Sequence, residues 1–402
     1  MISKNEIIKK YMEEIMKKIP ENVTWSTDPA CFIEYKTKPS LILKDEDGND
    51  VEMRCRNYFP KKEYWVNKVF EHYREVGFPA PTLTDKEITK ELDKLKKKNS
   101  SECVNSNGDI KNSGSLCLNV SRHFCRDTYW KCSSNGKNSI YDAFMNDELL
   151  MKVLKNRMGF VSGTSPWSED DGKTYYPEGT YYCFDMSDDM LLQGMRSSMV
   201  GFPTSNFKPI IAKYLIERYC PEDGNVGDYS AGWIARAMGA WSCGRSYYGI
   251  DPASHSYVNK FAEFVKSDNI KGIEGGSEDP NSYVNIPEID YWFSSPPYWS
   301  QEFYIGGNQS IESFKTYDEW INGYWKATVE NCIGKLKNNG KFSLIMIKEF
   351  DGHNLLDDMS KFITDSGLKF IEDIPFITSR SHLTKSAGST KATEIVRTFV
   401  KE

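Results

Sequence analysis

Ser295-Pro296-Pro297-Tyr298, directly after the apolar run Tyr291-Trp292-Phe293, carries the clearest chemistry in the sequence. Two consecutive prolines fix the backbone and remove two N–H donors, leaving carbonyl oxygens pointing outward from a rigid loop. Rigid acceptors beside an aromatic ring suit one task well, which is holding an exocyclic amino group while its base stacks on the ring. Three other stretches have the makings of a nucleotide-like site. In Asp228-Tyr229-Ser230-Ala231-Gly232 a glycine turn lets a ligand approach the backbone. In Gly249-Ile250-Asp251-Pro252 an acid stands about 20 positions further on, where a ribose-binding carboxylate is needed; Asp251 serves equally well as a helix cap. Gly275-Gly276-Ser277-Glu278-Asp279 is placed to reach an adenine ring, or is simply a polar turn.

All four stretches need to sit at strand ends, and the sequence supplies the strands. From about residue 205 the pattern predicts a helix over 210–219, strands over 226–228, 247–251, 270–273 and 289–293, and helices over 233–238 and 256–266 between them. A helix over 317–336 follows, then a strand over 341–347, a helix over 354–366 and strands over 370–377 and 394–400. Strands alternating with helices mean an α/β domain with a mostly parallel sheet, and ligands of such sheets bind at the carboxyl ends of the strands. The last two strands, joined by a loop and no helix, predict a hairpin at the sheet edge.

The chain has 402 residues, which favours two domains; we place the boundary near residue 195, with an accessory region over 1–195 and the α/β domain over 196–402. Aromatic residues make up 13% of the sequence, enough for substantial cores and against wholesale disorder. No apolar run approaches the ~20 residues of a membrane helix, and the amino-terminal stretch has no apolar core of a secretory signal. Ten cysteines without regular close spacing read as reduced thiols, implying a cytoplasmic protein. Cys103, Cys117, Cys125 and Cys132 lie near His123, but no pair has the close spacing of zinc ligands, so no metal is expected. A net charge of −6 means that a polyanionic partner needs a local basic surface.

Residues 205–402 resemble the S-adenosylmethionine-dependent DNA amino-methyltransferases. Ser295-Pro296-Pro297-Tyr298 matches that family's catalytic loop, Asp228 to Gly232 stands at its cofactor turn, and Asp251 at its ribose-binding acid. Ser205-Asn206-Phe207-Lys208-Pro209 is similar to the motif that cradles the methionine end of the cofactor. Gly232-Trp233 with Arg236 is similar to stand-alone enzymes of phages and large viruses. The resemblance implies a Rossmann-like methyltransferase domain whose cofactor, S-adenosyl-L-methionine, is held by Asn206, Phe207, Lys208, Pro209, Asp228, Ser230, Gly232, Asp251, Ser277 and Glu278. It implies catalysis by Ser295, Pro296, Pro297 and Tyr298 on a base flipped from double-stranded DNA. Ser295 and the Pro296 carbonyl would hold the amino group and Tyr298 would stack on the base. The loop begins with Ser more often in cytosine than in adenine enzymes, so cytosine N4 is slightly preferred over adenine N6. The sequence departs from the family turn at Tyr229, Ser230 and Ile234, where Pro, Phe and a second Gly are usual; Trp233 or Phe207 would have to replace the Phe.

Between the cofactor turn and the catalytic loop there is too little chain for a target-recognition domain. Recognition falls to the amino-terminal half, to the residues after the loop, or to both. Three basic-aromatic stretches are candidates: Lys61 to Lys68 with Tyr64 and Trp65; Arg122, His123, Arg126, Tyr129, Trp130 and Lys131; and Arg380 to Lys391. Two other functions stay open: an RNA amino-methyltransferase of the same chemistry, and an inactive DNA- or cofactor-binding regulator.

Overall fold

A computed structural model describes residues 41–44, 47–53, 57–58, 62–111, 114–134, 136–158, 167–168, 174–175, 183–184, 186–377 and 392–402. The chain forms two compact units, Met1–Ala80 with Lys137–Phe202, and Pro81–Gly136 with Pro203–Glu402. Residues 81–136, on the amino-terminal side of the expected boundary, are thus part of the same unit as the carboxyl-terminal sheet. In the described part of the first unit, helices Lys62–Val76, Ile140–Met145, Asp147–Met158 and Asp188–Ser197 gather around Val69, Tyr73, Phe144, Val153 and Met195. Among the described residues no helix is long and apolar enough to cross a membrane.

The second unit begins with α1 (Asp85–Lys97), opened by a capping box in which Thr84 Oγ1 accepts from Glu87 N–H and Glu87 accepts from Thr84 N–H. It buries Ile88, Leu92 and Leu95, and its lysines face outward. There follow α2 (Pro209–Tyr219), β1 (Asn225–Asp228), α3 (Ala235–Ser242), β2 (Ser246–Ile250), α4 (His255–Phe264), β3 (Ile270–Ile273) and β4 (Ile289–Ser294). The chain continues with α5 (Lys326–Lys335), β5 (Leu336–Met346), α6 (Leu355–Asp365), β6 (Leu368–Ile377) and β7 (Ala392–Lys401).

The strands form one sheet in the order β3-β2-β1-β4-β5-β7-β6, with a two-residue strand, Ile110–Lys111, beside β6. Every strand runs parallel to the rest except β7, which pairs antiparallel with β5 on one side and β6 on the other. This is the expected Rossmann-like α/β sheet. The expected hairpin of β6 and β7 is present, but β7 is an interior strand, and even β6 has a neighbour at its carboxyl end.

Strand order reverses between β1 and β4, and both strands show why they occupy the centre. β4 reads Ile-Asp-Tyr-Trp-Phe-Ser, a near-continuous apolar run of the kind a strand covered on both faces requires. Trp292 is wholly buried and paired in register with Gly227 of β1. A Cβ on Gly227 would stand 2.2 Å from the indole Cε3, so the glycine makes the room that the tryptophan fills. The predicted helix over 317–336 is present but changes pitch: a helical turn at Tyr317–Glu319 and a π-helical stretch, Trp320–Trp325, precede α5. Its aromatic residues Trp320, Tyr324 and Trp325 are all buried.

Candidate functional site

The turn after β1 is built around Asp228. Its carboxylate is fully buried and receives four donors: Arg236 Nε at 2.6 Å, Tyr247 Oη at 2.6 Å, Ser294 Oγ at 2.7 Å and Ser230 N–H at 3.1 Å. The side chain expected to meet the cofactor therefore ties the ends of β1, β2 and β4 to α3. Arg236 also donates to the Ser230 carbonyl, and its guanidinium lies 5.3 Å from the Phe207 ring centroid. Gly232 takes φ +56°, and Ile234, where a second glycine was noted as usual, takes the same left-handed conformation at φ +56°. A β-branched residue there is strained, and the wholly buried Ile234 side chain holds it in place.

Asp251, just past β2, accepts Gly232 N–H at 3.1 Å on one oxygen, and Ala253 N–H and Ser254 N–H at 2.9 and 2.7 Å on the other. It holds the turn before α4 and is not the cap of that helix, whose N-cap is Ser254, and it lines the cleft at the strand ends. Ser277 is buried, its hydroxyl 2.9 Å from Thr328 Oγ1 and 3.5 Å from Tyr324 Oη. Glu278 lines the same cleft, and burial raises its carboxyl above the ordinary range. Of the predicted cofactor residues, Asn206, Phe207, Lys208, Ser230, Gly232, Asp251, Ser277 and Glu278 line this one cleft. Pro209 instead opens α2, where its fixed φ suits the first helical turn, and Asp228 sits beneath the turn. Trp233 and Phe207, considered as replacements for the missing Phe, both line the cleft.

The loop after β4 brings Ser295 and Pro297 to the same cleft, while Pro296 and Tyr298 are buried. Tyr298 is 5% exposed, leaving its ring little surface on which a base could stack. Its hydroxyl donates to Glu394 Oε1 and lies 3.2 Å from Ser295 Oγ.

Two cleft-lining carboxylates escaped the sequence reading. Glu302 is buried and accepts Ser205 N–H and Oγ–H on one oxygen and Tyr304 Oη–H on the other. Burial raises its carboxyl above the ordinary range, opposed by those bonds. Glu394, near the start of β7, is raised chiefly by burial, and nearby Glu302 adds to the rise. Glu302 stands four residues beyond Tyr298, a proximity visible in the sequence. Glu394 had no such signal, because its strand reads as ordinary alternation.

The second basic-aromatic stretch is mostly interior. Tyr129 and Trp130 are buried, Arg122 lies 5.8 Å from both ring centroids, and His123 Nδ1 accepts Leu83 N–H. These aromatics pack the unit and are not a surface on which bases could stack. Arg126 and Lys131 are exposed. Of the first stretch, Trp65 is buried; the third lies outside the described residues. Cys103, Cys117, Cys125 and Cys132 are buried free thiols, and burial pushes Cys117 up to about 12.

No protein-family model and no curated protein sequence matches the chain. Solved structures similar to it include a TehB-like SAM-dependent methyltransferase from Corynebacterium glutamicum, at 12% identity over 52% of this chain and 94% of that one, with a TM-score of 0.32. A methyltransferase from Pyrococcus furiosus matches at 16% identity over 48% and 82%, with a TM-score of 0.34. Aeropyrum pernix fibrillarin with natively bound S-adenosyl-L-methionine matches at 14% over 48% and 74%, with a TM-score of 0.32. Likeness at this level carries no argument about what the chain binds or does, which rests on the site's own geometry.

Proposed function

We propose that this chain transfers a methyl group from S-adenosyl-L-methionine to the exocyclic amino nitrogen of a base in DNA, with cytosine N4 preferred over adenine N6. The observation that carries the reading is the position of Ser295-Pro296-Pro297-Tyr298. The loop leaves the carboxyl end of β4, at the reversal of strand order, and shares one cleft with the turns after β1, β2 and β3.

The residues present fit the cofactor. Two buried polar atoms of cleft-lining residues, Asn206 Oδ1 and Ser254 Oγ, have no partner among the described residues, and buried polar atoms are ordinarily paired. Asp251 would hold the ribose hydroxyls, Asn206 and Lys208 the methionine end, and Ser277 and Glu278 the adenine edge. When bound, the cofactor supplies an electrophilic methyl group on a positively charged sulfur. The chain's part is alignment. An aromatic amine is a poor nucleophile because its lone pair is delocalised into the ring. Ser295 Oγ and the Pro296 carbonyl, accepting from its two hydrogens, help the nitrogen become pyramidal and direct the lone pair.

Incubating the chain with labelled cofactor and either duplex DNA or RNA, then analysing nucleosides by mass spectrometry, tests the reading. 4-Methylcytosine from DNA is expected. Label in RNA alone would overturn the DNA assignment, and 6-methyladenine alone would overturn the preference for cytosine. Ser295→Ala is expected to lower kcat far more than it weakens cofactor binding, because its contact strengthens as the nitrogen pyramidalises. Equal losses in steady-state kinetics and calorimetry would count against that role. Asp251→Ala should weaken cofactor binding by more than about tenfold, the worth of a charge-assisted hydrogen bond. Unchanged affinity in calorimetry would show that the ribose lies elsewhere.

A further inference from the structure

A tyrosine hydroxyl carries one hydrogen, and Tyr298 commits its hydrogen to Glu394 Oε1. In the 3.2 Å contact between Ser295 Oγ and Tyr298 Oη, the serine is therefore the donor. The hydrogens of both hydroxyls point the same way, from the cleft-lining serine through a buried phenol to a carboxylate. Ser295 keeps lone pairs free to accept from a group in the cleft.

We infer that Ser295, Tyr298 and Glu394 form a proton relay that removes the hydrogen shed by the acceptor amine; this rests on the amine methylation proposed above. In that reaction nitrogen forms a bond to the methyl carbon. The carbon–sulfur bond breaks with its electron pair remaining on sulfur, and nitrogen loses one N–H proton. The proton passes to Ser295 Oγ as Ser295 gives its own to Tyr298 and Tyr298 gives its own to Glu394. A sulfonium and a carboxylate become a thioether and a carboxylic acid, so charge balances and no further reactant is needed.

The choice of Glu394 over its neighbour follows from hydrogen bonding. Glu302, the other carboxylate acting on Glu394, has both oxygens engaged by Ser205 and Tyr304, and among the described residues none of its hydrogen bonds leads to Ser295. Among the described residues, the titratable groups that face Glu394 are Tyr298 and Glu302. Burial and the like charge of Glu302 strengthen its hold on a proton, and the Tyr298 bond opposes them. In this arrangement Tyr298 serves the reaction through its hydroxyl.

Two variants of the full chain test the relay on a DNA duplex that the wild type methylates. Glu394→Gln keeps an oxygen for Tyr298 but takes no proton; Tyr298→Phe keeps the packing and removes the middle hydroxyl. Each is expected to lower kcat by about 100-fold or more, with cofactor and DNA affinities unchanged. In the wild type kcat should fall as pH falls through the Glu394 titration, and Glu394→Gln should lose that limb. Near-normal kcat in both variants with the limb retained would overturn the relay. Unfolding supplies a readout independent of activity. A carboxyl whose folded pKa is raised makes unfolding release a proton, so its contribution to stability falls as pH rises from the unfolded value through the folded one. The stability of Glu394→Gln relative to wild type should therefore increase across that window, and a pH-independent difference would overturn Glu394 as the proton holder. A wild-type chain that methylates no nucleic acid sinks the proposed function, whereas normal transfer by both variants sinks the relay alone.

Discussion

Asp228→Ala is expected to remove most of the stability of the unit that holds the sheet. Its carboxylate satisfies Arg236, Tyr247, Ser294 and the Ser230 amide at once, and no solvent reaches it. Alanine leaves the guanidinium of Arg236, only 6% exposed, without its counter-charge. Breaking a buried pair from one side costs about 3–5 kcal/mol, and each hydroxyl left unpaired adds about 1–3 kcal/mol. Against the usual 5–15 kcal/mol or so of a folded protein this is most of the margin. Urea unfolding should show the midpoint falling steeply. The double variant Asp228→Ala with Arg236→Leu should recover part of the loss, because the orphaned charge goes with the arginine. A single variant within about 0.5 kcal/mol of wild type would contradict the role of the network, since exposed sites give changes of that size.

Gly227→Ala is the second large effect expected, and its cause is volume. The added methyl would meet the indole of Trp292 at 2.2–2.5 Å, inside a sheet covered on both faces. Neither strand has room to yield: β1 is hydrogen-bonded on both sides, and Trp292 pairs with Gly227 on one side and Phe342 on the other. Overpacking a core costs about 1–3 kcal/mol and occasionally more; central β1 puts this case at the upper end. Thermal unfolding measures it. Trp292→Phe, by shrinking the ring, should make the alanine tolerable. If Gly227→Ala alone left the melting temperature unchanged, the close packing of these strands would be refuted.

Most of the scaffold was legible because its signals are local. The capping box at Thr84 and the apolar run of β4 each state their structure within a few residues. What failed depended on distant partners. The start of β5 at Leu336 was hidden by Lys-Asn-Asn-Gly, which reads as a turn; the strand instead absorbs it with a register shift against β4 and Asn339 at positive φ. The pairing of β6 with β7 follows from their adjacency, but nothing local says which of them meets β5. Motif spacing pointed to Asp251, Ser277 and the proline loop, which the fold brings to one cleft. Glu394 was invisible because 96 residues separate it from the tyrosine it meets. The stretch from Arg122 to Lys131 misled for the opposite reason: composition reports charge and aromaticity, and only packing decides that Tyr129 and Trp130 turn inward.

The place of β7 has a consequence for how the molecule comes into being on a ribosome. Among the described residues of the sheet, β6 pairs only with β7 and two residues of the strand at Ile110–Lys111, so when β6 emerges its long edge has nothing to bind. β5 likewise waits with one side bare. Translation must run on through residue 401 before a single insertion closes both edges. Until then the nascent unit exposes two unpaired strands, the kind of surface that chaperones cover and that aggregation exploits. Because Glu394 travels on the inserted strand, the chain acquires this half-buried acid in the same event that seals the sheet. Partial synthesis products would lack both.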